Sequence, residues 1–136
     1  GGAASSEAAS TDTAASVPDG GEDNIIRVGV VCSMTGGSAI YGEGAQNAVD
    51  MAVEEINAGD SGYKIEIVNG GKVADDAKDA KQAMNAYNKV MADSPEAIVG
   101  SFFLSVTLPM AEQASKDGML LATGATNADV TLKGDL

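Results

Sequence analysis

Two short turns hold most of the side chains in this sequence that could grip a small ligand. The first, Ser101 to Thr107, interleaves Ser101, Ser105 and Thr107 with Phe102, Phe103 and Leu104. The second, Thr123-Gly124-Ala125-Thr126-Asn127, sets two threonines about a glycine. Ser105 and Thr107 fall where a helix is expected to begin. Backbone N–H groups there face outward at the positive end of the dipole, which suits an anion. Gly124, with no Cβ, lets a ligand approach the backbone. Together these neutral donors could hold a carboxylate. Each hydroxyl taken singly is equally well explained as a helix cap.

Other chemistries are poorly served. The chain has no His, so His-dependent triads, His-ligated metals and the usual general base at neutral pH are missing. Cys32 is the one cysteine, so no internal disulfide can form, and at the end of an apolar strand it reads as a small buried hydrophobe. Gly36, Gly37, Gly42 and Gly44 follow the first strand but give neither a dinucleotide fingerprint nor a phosphate loop, and read as turn glycines. Asp75, Asp76 and Asp79 precede or open a helix, where capping and dipole complementation account for them without a metal. No cofactor, metal or enzymatic activity is expected.

The elements that position the two turns follow from periodicity. Ile25 to Cys32 is β-branched and almost continuously apolar, as a strand covered on both faces should be. From Gly42 the period becomes helical: Ala45, Ala48, Val49, Ala52, Val53 and Ile56 form one stripe expected to face the sheet, and Asn57-Ala58-Gly59 ends the helix. Tyr63 to Val68 alternates more and is expected nearer a sheet edge. Asp75 or Asp76 is expected to cap the next helix, in which Ala80, Ala83, Met84, Tyr87, Val90 and Met91 face inward while Lys78, Asp79, Lys81 and Lys89 face out. Ile98-Val99-Gly100 is the third strand. Pro109 is expected in the first turn of a third helix that Gly118 stops, and Met119 to Ala122 is the fourth strand. Val130 to Leu136 show no completed element. The order β-α-β-α-β-α-β predicts an α/β fold, an open parallel sheet with helices on both faces. In such sheets ligands bind beyond the carboxyl ends of the strands, where both hydroxyl turns fall.

Charge narrows the partners. The formal net charge is -12, from 8 basic and 20 acidic residues. Residues 1–24 hold five of the acids and no base; Val17 is their only sizeable apolar side chain. That segment is expected to be a disordered tether. Residues 25–136 remain acidic, which argues against nucleic acid and against electrostatic attachment to anionic lipid. No apolar run approaches the length of a membrane span.

Arg27 to Asn57, RVGVVCSMTGGSAIYGEGAQNAVDMAVEEIN, resembles the start of the mature branched-chain amino-acid-binding proteins, the Leu/Ile/Val-binding, periplasmic-type solute receptors of bacterial ABC importers. The MTG turn, the Tyr41-Gly42-Glu43 step and the helix ending in IN carry the likeness. So does the later run of IVG, a Ser/Thr turn and LLATGATNADVT. The resemblance covers residues 25–136 and implies a partial first lobe of a type I periplasmic binding protein. Such receptors clamp a ligand between two α/β lobes, pass it to permease and ATPase subunits, and work outside the cytoplasm. Residue by residue it implies ligand contacts at Tyr41, at Phe102 and Phe103, and at Gly124, Ala125 and Thr126. Where the family places a carboxylate-binding Ser this chain has Leu104, so either the turn is reshaped and Ser105 takes the role, or the ligand is not a standard α-amino acid. Asn69 stands in place of a more usual Asp. The leader resembles the spacer after the lipidated cysteine of a surface lipoprotein, which implies a lipid anchor preceding Gly1 as the membrane contact. Two rival readings are a ligand-sensing domain of a signalling receptor and an enzyme on a flavodoxin-like sheet.

Overall fold

The apolar run Ile25–Cys32 forms the central strand, β1, over its whole predicted length. In the computed structural model, which describes residues 24–133, β1 is flanked on one side by β2 (Lys64–Ile67) and, beyond it, by a two-residue strand, β3 (Ala74–Asp75). On its other side lie β4 (Ala97–Val99) and then β5 (Leu120–Ala122). Every pairing is parallel, and the order is β2-β1-β4-β5, with β3 meeting Val31 and Cys32 at the carboxyl end of β1. The expected open parallel α/β sheet is therefore present, with β2 at its edge.

Three helices cover it: α1 (Ala39–Ala58), α2 (Ala80–Met91) and α3 (Leu104–Asp117). α2 and α3 share one face. Val31 and Ile98 of the sheet meet Ala83, Tyr87 and Val90 of α2 and Val106, Met110 and Ala114 of α3 in one buried cluster. On the opposite face α1 packs through half-buried Ala45 and Val49 on Val30, Cys32 and Val73. Gly42 makes that approach possible, because a Cβ there would run into the Ser33 carbonyl and lie 2.7 Å from the Met34 sulfur.

Several elements depart from expectation. The α1 stripe is only partly covered: Ala45, Val49 and Val53 are half-buried, while Ala48, Ala52 and Ile56 are exposed. Periodicity says which residues share a face, not whether another layer lies on it. β3 was not expected, since a two-residue bridge is created by its partner strand rather than by local propensity. Asp75 and Asp76 do not cap α2. Asp79 does, accepting from the Gln82 N–H at 2.9 Å, and Lys78 precedes the helix instead of lying on its outer face. α3 begins a turn earlier than Pro109 suggests. The Phe103 carbonyl accepts both the Thr107 N–H (3.0 Å) and the Thr107 hydroxyl (2.9 Å), which closes the first turn before Pro109 is reached. Gly118 ends α3 in the left-handed conformation, as expected. Ala128–Lys133 form a 3-10 turn that buries Val130, where no element was expected. The expected tether lies outside the described residues apart from Asn24.

Candidate functional site

The carboxyl ends of the parallel strands lie on one edge, and the loops leaving them carry the residues singled out in the sequence. Tyr41 comes from the first turn of α1, just after the β1 loop. Phe102 and Phe103 follow β4, and Gly124 to Thr126 follow β5. These loops meet in two places. The rings of Tyr41 and Phe103 stand edge-to-face, centroids 5.7 Å apart at 88°. Phe102 lies on Gly124, where a Cβ would come within 2.7 Å of its ring, so only glycine admits that packing. Phe103 also packs against the buried α2/α3 cluster. Tyr41 and Phe102 are 57% and 44% exposed, so water or a ligand, not the core, faces much of those two rings.

The neutral donors are less available than the sequence suggested. The Thr123 hydroxyl donates to the Ser101 carbonyl at 2.6 Å and accepts the Ala125 N–H at 3.0 Å. The Thr107 hydroxyl is tied to the Phe103 carbonyl. Ser101 is wholly buried, and its hydroxyl has no partner among the described residues. Ser105 and Thr126 are exposed, with no side-chain hydrogen bond among the described residues. The site residues are thus brought together in two groups, Tyr41 with Phe103 and Phe102 with Gly124. Ser105 and Thr126 remain as open hydroxyls.

One residue of this edge was missed. The ammonium of Lys78 stands 4.3 Å above the centre of the Phe103 ring. Its backbone, like that of Ala77, is left-handed, with φ of 54° and 48°. Two successive aspartates hold this bend. Asp75 accepts the Ala77 N–H and Asp76 the Lys78 N–H, each at 2.8 Å. The signal was present in Asp75-Asp76-Ala77-Lys78, because an aspartate readily bonds the backbone two residues on; a helical reading of this stretch hid it.

The same aspartates tie the β1 loop down. Asp75 also accepts from the Met34 N–H (2.7 Å) and the Thr35 hydroxyl (2.6 Å), and buried Asp76 accepts from the Ser33 hydroxyl at 2.5 Å. Burial pushes the Asp75 pKa up, but the bonds from Thr35, Ala77 and Met34 outweigh it and leave the carboxyl below its ordinary value. Cys32 is buried beside this cluster; burial, opposed by the Ser33 backbone and reinforced by the Asp76 charge, pushes its thiol pKa up. A protonated, covered thiol is a poor nucleophile. Among the described residues no group of three or more acids or cysteines is placed to hold a metal.

A concavity of about 790 Å³ lies elsewhere, along the β2 edge between Arg27, Asp50, Glu54, Glu66, Asn69 and Asp93. Its four carboxylates against one guanidinium would repel an anionic ligand. The convergence of loops at the carboxyl edge is the better-founded site.

A family profile described as periplasmic binding protein matches residues 25–134. This chain belongs to that family. Among curated periplasmic binding proteins it is 35% identical over 112 residues to Leu/Ile/Val-binding protein homolog 1 of Brucella abortus (strain 2308), a match covering 80% of this chain and 29% of that protein. It is also 35% identical, with the same coverage, to the Leu/Ile/Val-binding protein BraC3 of Rhizobium johnstonii. Among solved structures it superposes on the branched-chain amino acid transporter substrate-binding protein LivJ of Streptococcus pneumoniae, crystallised with isoleucine. That match has a TM-score of 0.70 and 29% identity, and covers 82% of this chain and 32% of that one. A solute-binding protein from Rhodopseudomonas palustris BisB5 shares the fold with a TM-score of 0.71 at 22% identity, over 82% of this chain and 30% of that one. The chain thus spans under a third of the length of the relatives it matches.

Proposed function

We propose that this chain is the opening part of the first lobe of an extracytoplasmic solute receptor for an ABC importer, and that it binds amino acids or related small carboxylates. The observation that carries the reading is the gathering of the Tyr41, Phe102–Phe103 and Gly124–Thr126 loops on one carboxyl edge, in a chain of this family. The Leu/Ile/Val-binding relatives and the isoleucine complex of the S. pneumoniae protein support the ligand class. Tyr41, Phe102, Phe103 and Ala125 would wall the ligand, while Ser105, Thr126 and the backbone at Gly124 would supply donors. In the longer relatives further chain would complete the cleft. Closure of two lobes by hinge motion would then exclude water and signal occupancy to a permease and its ATPase. A lipid anchor preceding Gly1 would keep the receptor at the membrane.

A half-built cleft leaves its ligand open to water, where charge-assisted contacts are weak, so this chain alone should bind in the millimolar range. The test is a titration of L-leucine, L-isoleucine and simple carboxylates into isotope-labelled protein, followed by amide shifts. The expected shifts cluster at residues 101–105 and 123–127. Thr126→Val should reduce them without altering the rest of the spectrum. Shifts confined to the β2-edge groove, or none at tens of millimolar, would sink the reading.

A further inference from the structure

We propose that the β2 edge of the sheet is a latent pairing surface for a second copy of this chain, and that the side-chain amide of Asn57 holds it shut.

β2 ends the strand order, so one side of it has no strand partner among the described residues. The Lys64 N–H donates to the Asn24 carbonyl at 3.0 Å, on the β1 side. Backbone direction alternates along a strand, so the N–H and C=O of Ile65 point the other way, out of the sheet. One side chain takes both. The Asn57 amide oxygen accepts the Ile65 N–H at 2.7 Å, and the Asn57 NH2 donates to the Ile65 carbonyl at 2.9 Å. The Lys64 ammonium donates in turn to the Asn57 backbone carbonyl, which ties the last turn of α1 to the start of β2. A primary amide offers the same donor and acceptor as a peptide group. Asn57 therefore fills the place that one residue of a neighbouring strand would take. The IN step that carries the family likeness thus does more than end the helix, which runs on through Ala58.

Water could satisfy the same two groups. What a tethered amide adds is exclusion, because an incoming strand must displace it. Without it, Ile65 would present a free donor and acceptor on an edge strand, which is a template for another chain.

The sequence of β2, Lys64-Ile65-Glu66-Ile67, points to a second copy as the occupant. Two copies set antiparallel about Ile65 would exchange both N–H···O bonds between their Ile65 residues, as a hydrogen-bonded pair of an antiparallel ladder does. That register sets Lys64 of each copy opposite Glu66 of the other, giving favourable charge pairs on one face. Registers centred on Lys64 or on Glu66 would set like charges face to face. The favoured pairing is self-complementary and closes at two copies.

The test compares the labelled parent chain with Asn57→Ala and with the double variant Asn57→Ala/Ile65→Pro, by sedimentation and by amide exchange over a range of protein concentrations. At low concentration the Ile65 amide should exchange roughly tenfold faster in Asn57→Ala than in the parent, while the Lys64 amide, bonded to Asn24, keeps its protection. As concentration rises, Asn57→Ala should sediment as a dimer where the parent does not, and its Ile65 amide should regain protection in step. Ile65→Pro removes the outward N–H at an edge position where proline is tolerated, so the double variant should match the parent's association state. If Asn57→Ala associates no more than the parent, or associates equally with Ile65→Pro in place, Asn57 does not guard this edge and the proposal falls. An unchanged Ile65 amide, or loss of the native circular dichroism spectrum in Asn57→Ala, overturns it as well.

Discussion

The two faces of the sheet are built to different standards of closure. On the α2/α3 face, alternate residues of β1 and β4 end in a cluster whose members Val31, Val90, Ile98, Val106 and Met110 are fully buried. On the α1 face the alternate residues of β1, β4 and β5 fare differently. Val30 and Cys32 are covered, but Val99 is 39% and Leu120 58% exposed, and the outer side of α1 presents Met51 at 71%. Register explains the split: Ala97 lies beside Leu120 and Val99 beside Ala122, so these four point to one side, while Ile98 and Leu121 point to the other. A single helix over β1 and β2 cannot also cover β4 and β5. The stability of the described fold should therefore reside on the α2/α3 face.

That difference has a direct consequence. Ile98→Ala removes side-chain volume from a site with 0% exposure, and should cost about 2–5 kcal/mol once the cavity is included. Leu120→Ala, on the neighbouring strand but the open face, should stay within about 0.5 kcal/mol. Urea unfolding followed by far-ultraviolet circular dichroism gives both numbers. Comparable losses would mean that the α1 face is closed in solution by something other than α1, such as a second copy of the chain. A dependence of the Leu120 effect on protein concentration would identify that case.

The contrast also marks what was legible beforehand. β1 could be read at both ends because an unbroken β-branched run has few other uses, and Gly118 could be read as a helix stop because a left-handed cap nearly requires it. The α1 stripe misled: Ala48, Ala52 and Ile56 obey the helical period yet face water, since a period carries no information about the next layer. β3 and the Asp75–Lys78 bend depend on long-range partners, Val31, Cys32, Met34 and Thr35, which no local window contains. At the candidate site the edge itself was legible from strand order. The internal bonding of Thr123 and Thr107, and the fall of Lys78 onto Phe103, were not, because both are settled by where loops far apart in sequence come to rest.

A second comparison lies within α1, where Gly42 and Gly44 are two residues apart and face opposite ways. A Cβ at Gly42 would collide with the Ser33 backbone and the Met34 sulfur, so Gly42→Ala should push α1 off the sheet at a cost of about 1–3 kcal/mol. Gly44 has nothing within 4 Å of its would-be Cβ, and Gly44→Ala should stabilise the helix by roughly 0.5–1 kcal/mol. The pair tests whether α1, despite its thin cover, is seated in one place. If Gly42→Ala proves harmless, the helix shifts freely and the Tyr41–Phe103 contact at its first turn is not a fixed part of the edge.

The smallest expected effects are in pH dependence, and they again differ by face. Asp75, the β3 residue that ties down the loop leading into α1, titrates below its ordinary value because its hydrogen-bond donors outweigh burial. Its folded pKa is depressed, so its contribution to stability is present above the unfolded value of about 3.9 and is lost as pH falls through the folded one. Tyr87, in the α2/α3 core, donates its hydroxyl to Asp117 at 2.8 Å. Burial first, and then the Asp117 carboxylate, push its pKa up. Here the sign reverses: the stabilisation is complete below the ordinary tyrosine value of about 10 and fades as pH rises above it. Asp75→Asn should therefore differ most from the parent near neutrality and converge with it in acid. Tyr87→Phe should differ most below about pH 10 and converge with the parent in alkali. Urea midpoints taken across both limbs test the assignment. If Asp75→Asn runs parallel to the parent into acid, the Met34–Thr35–Asp75 network does not hold the β1 loop in solution, and the Lys78 bend built on the same carboxylate loses its anchor.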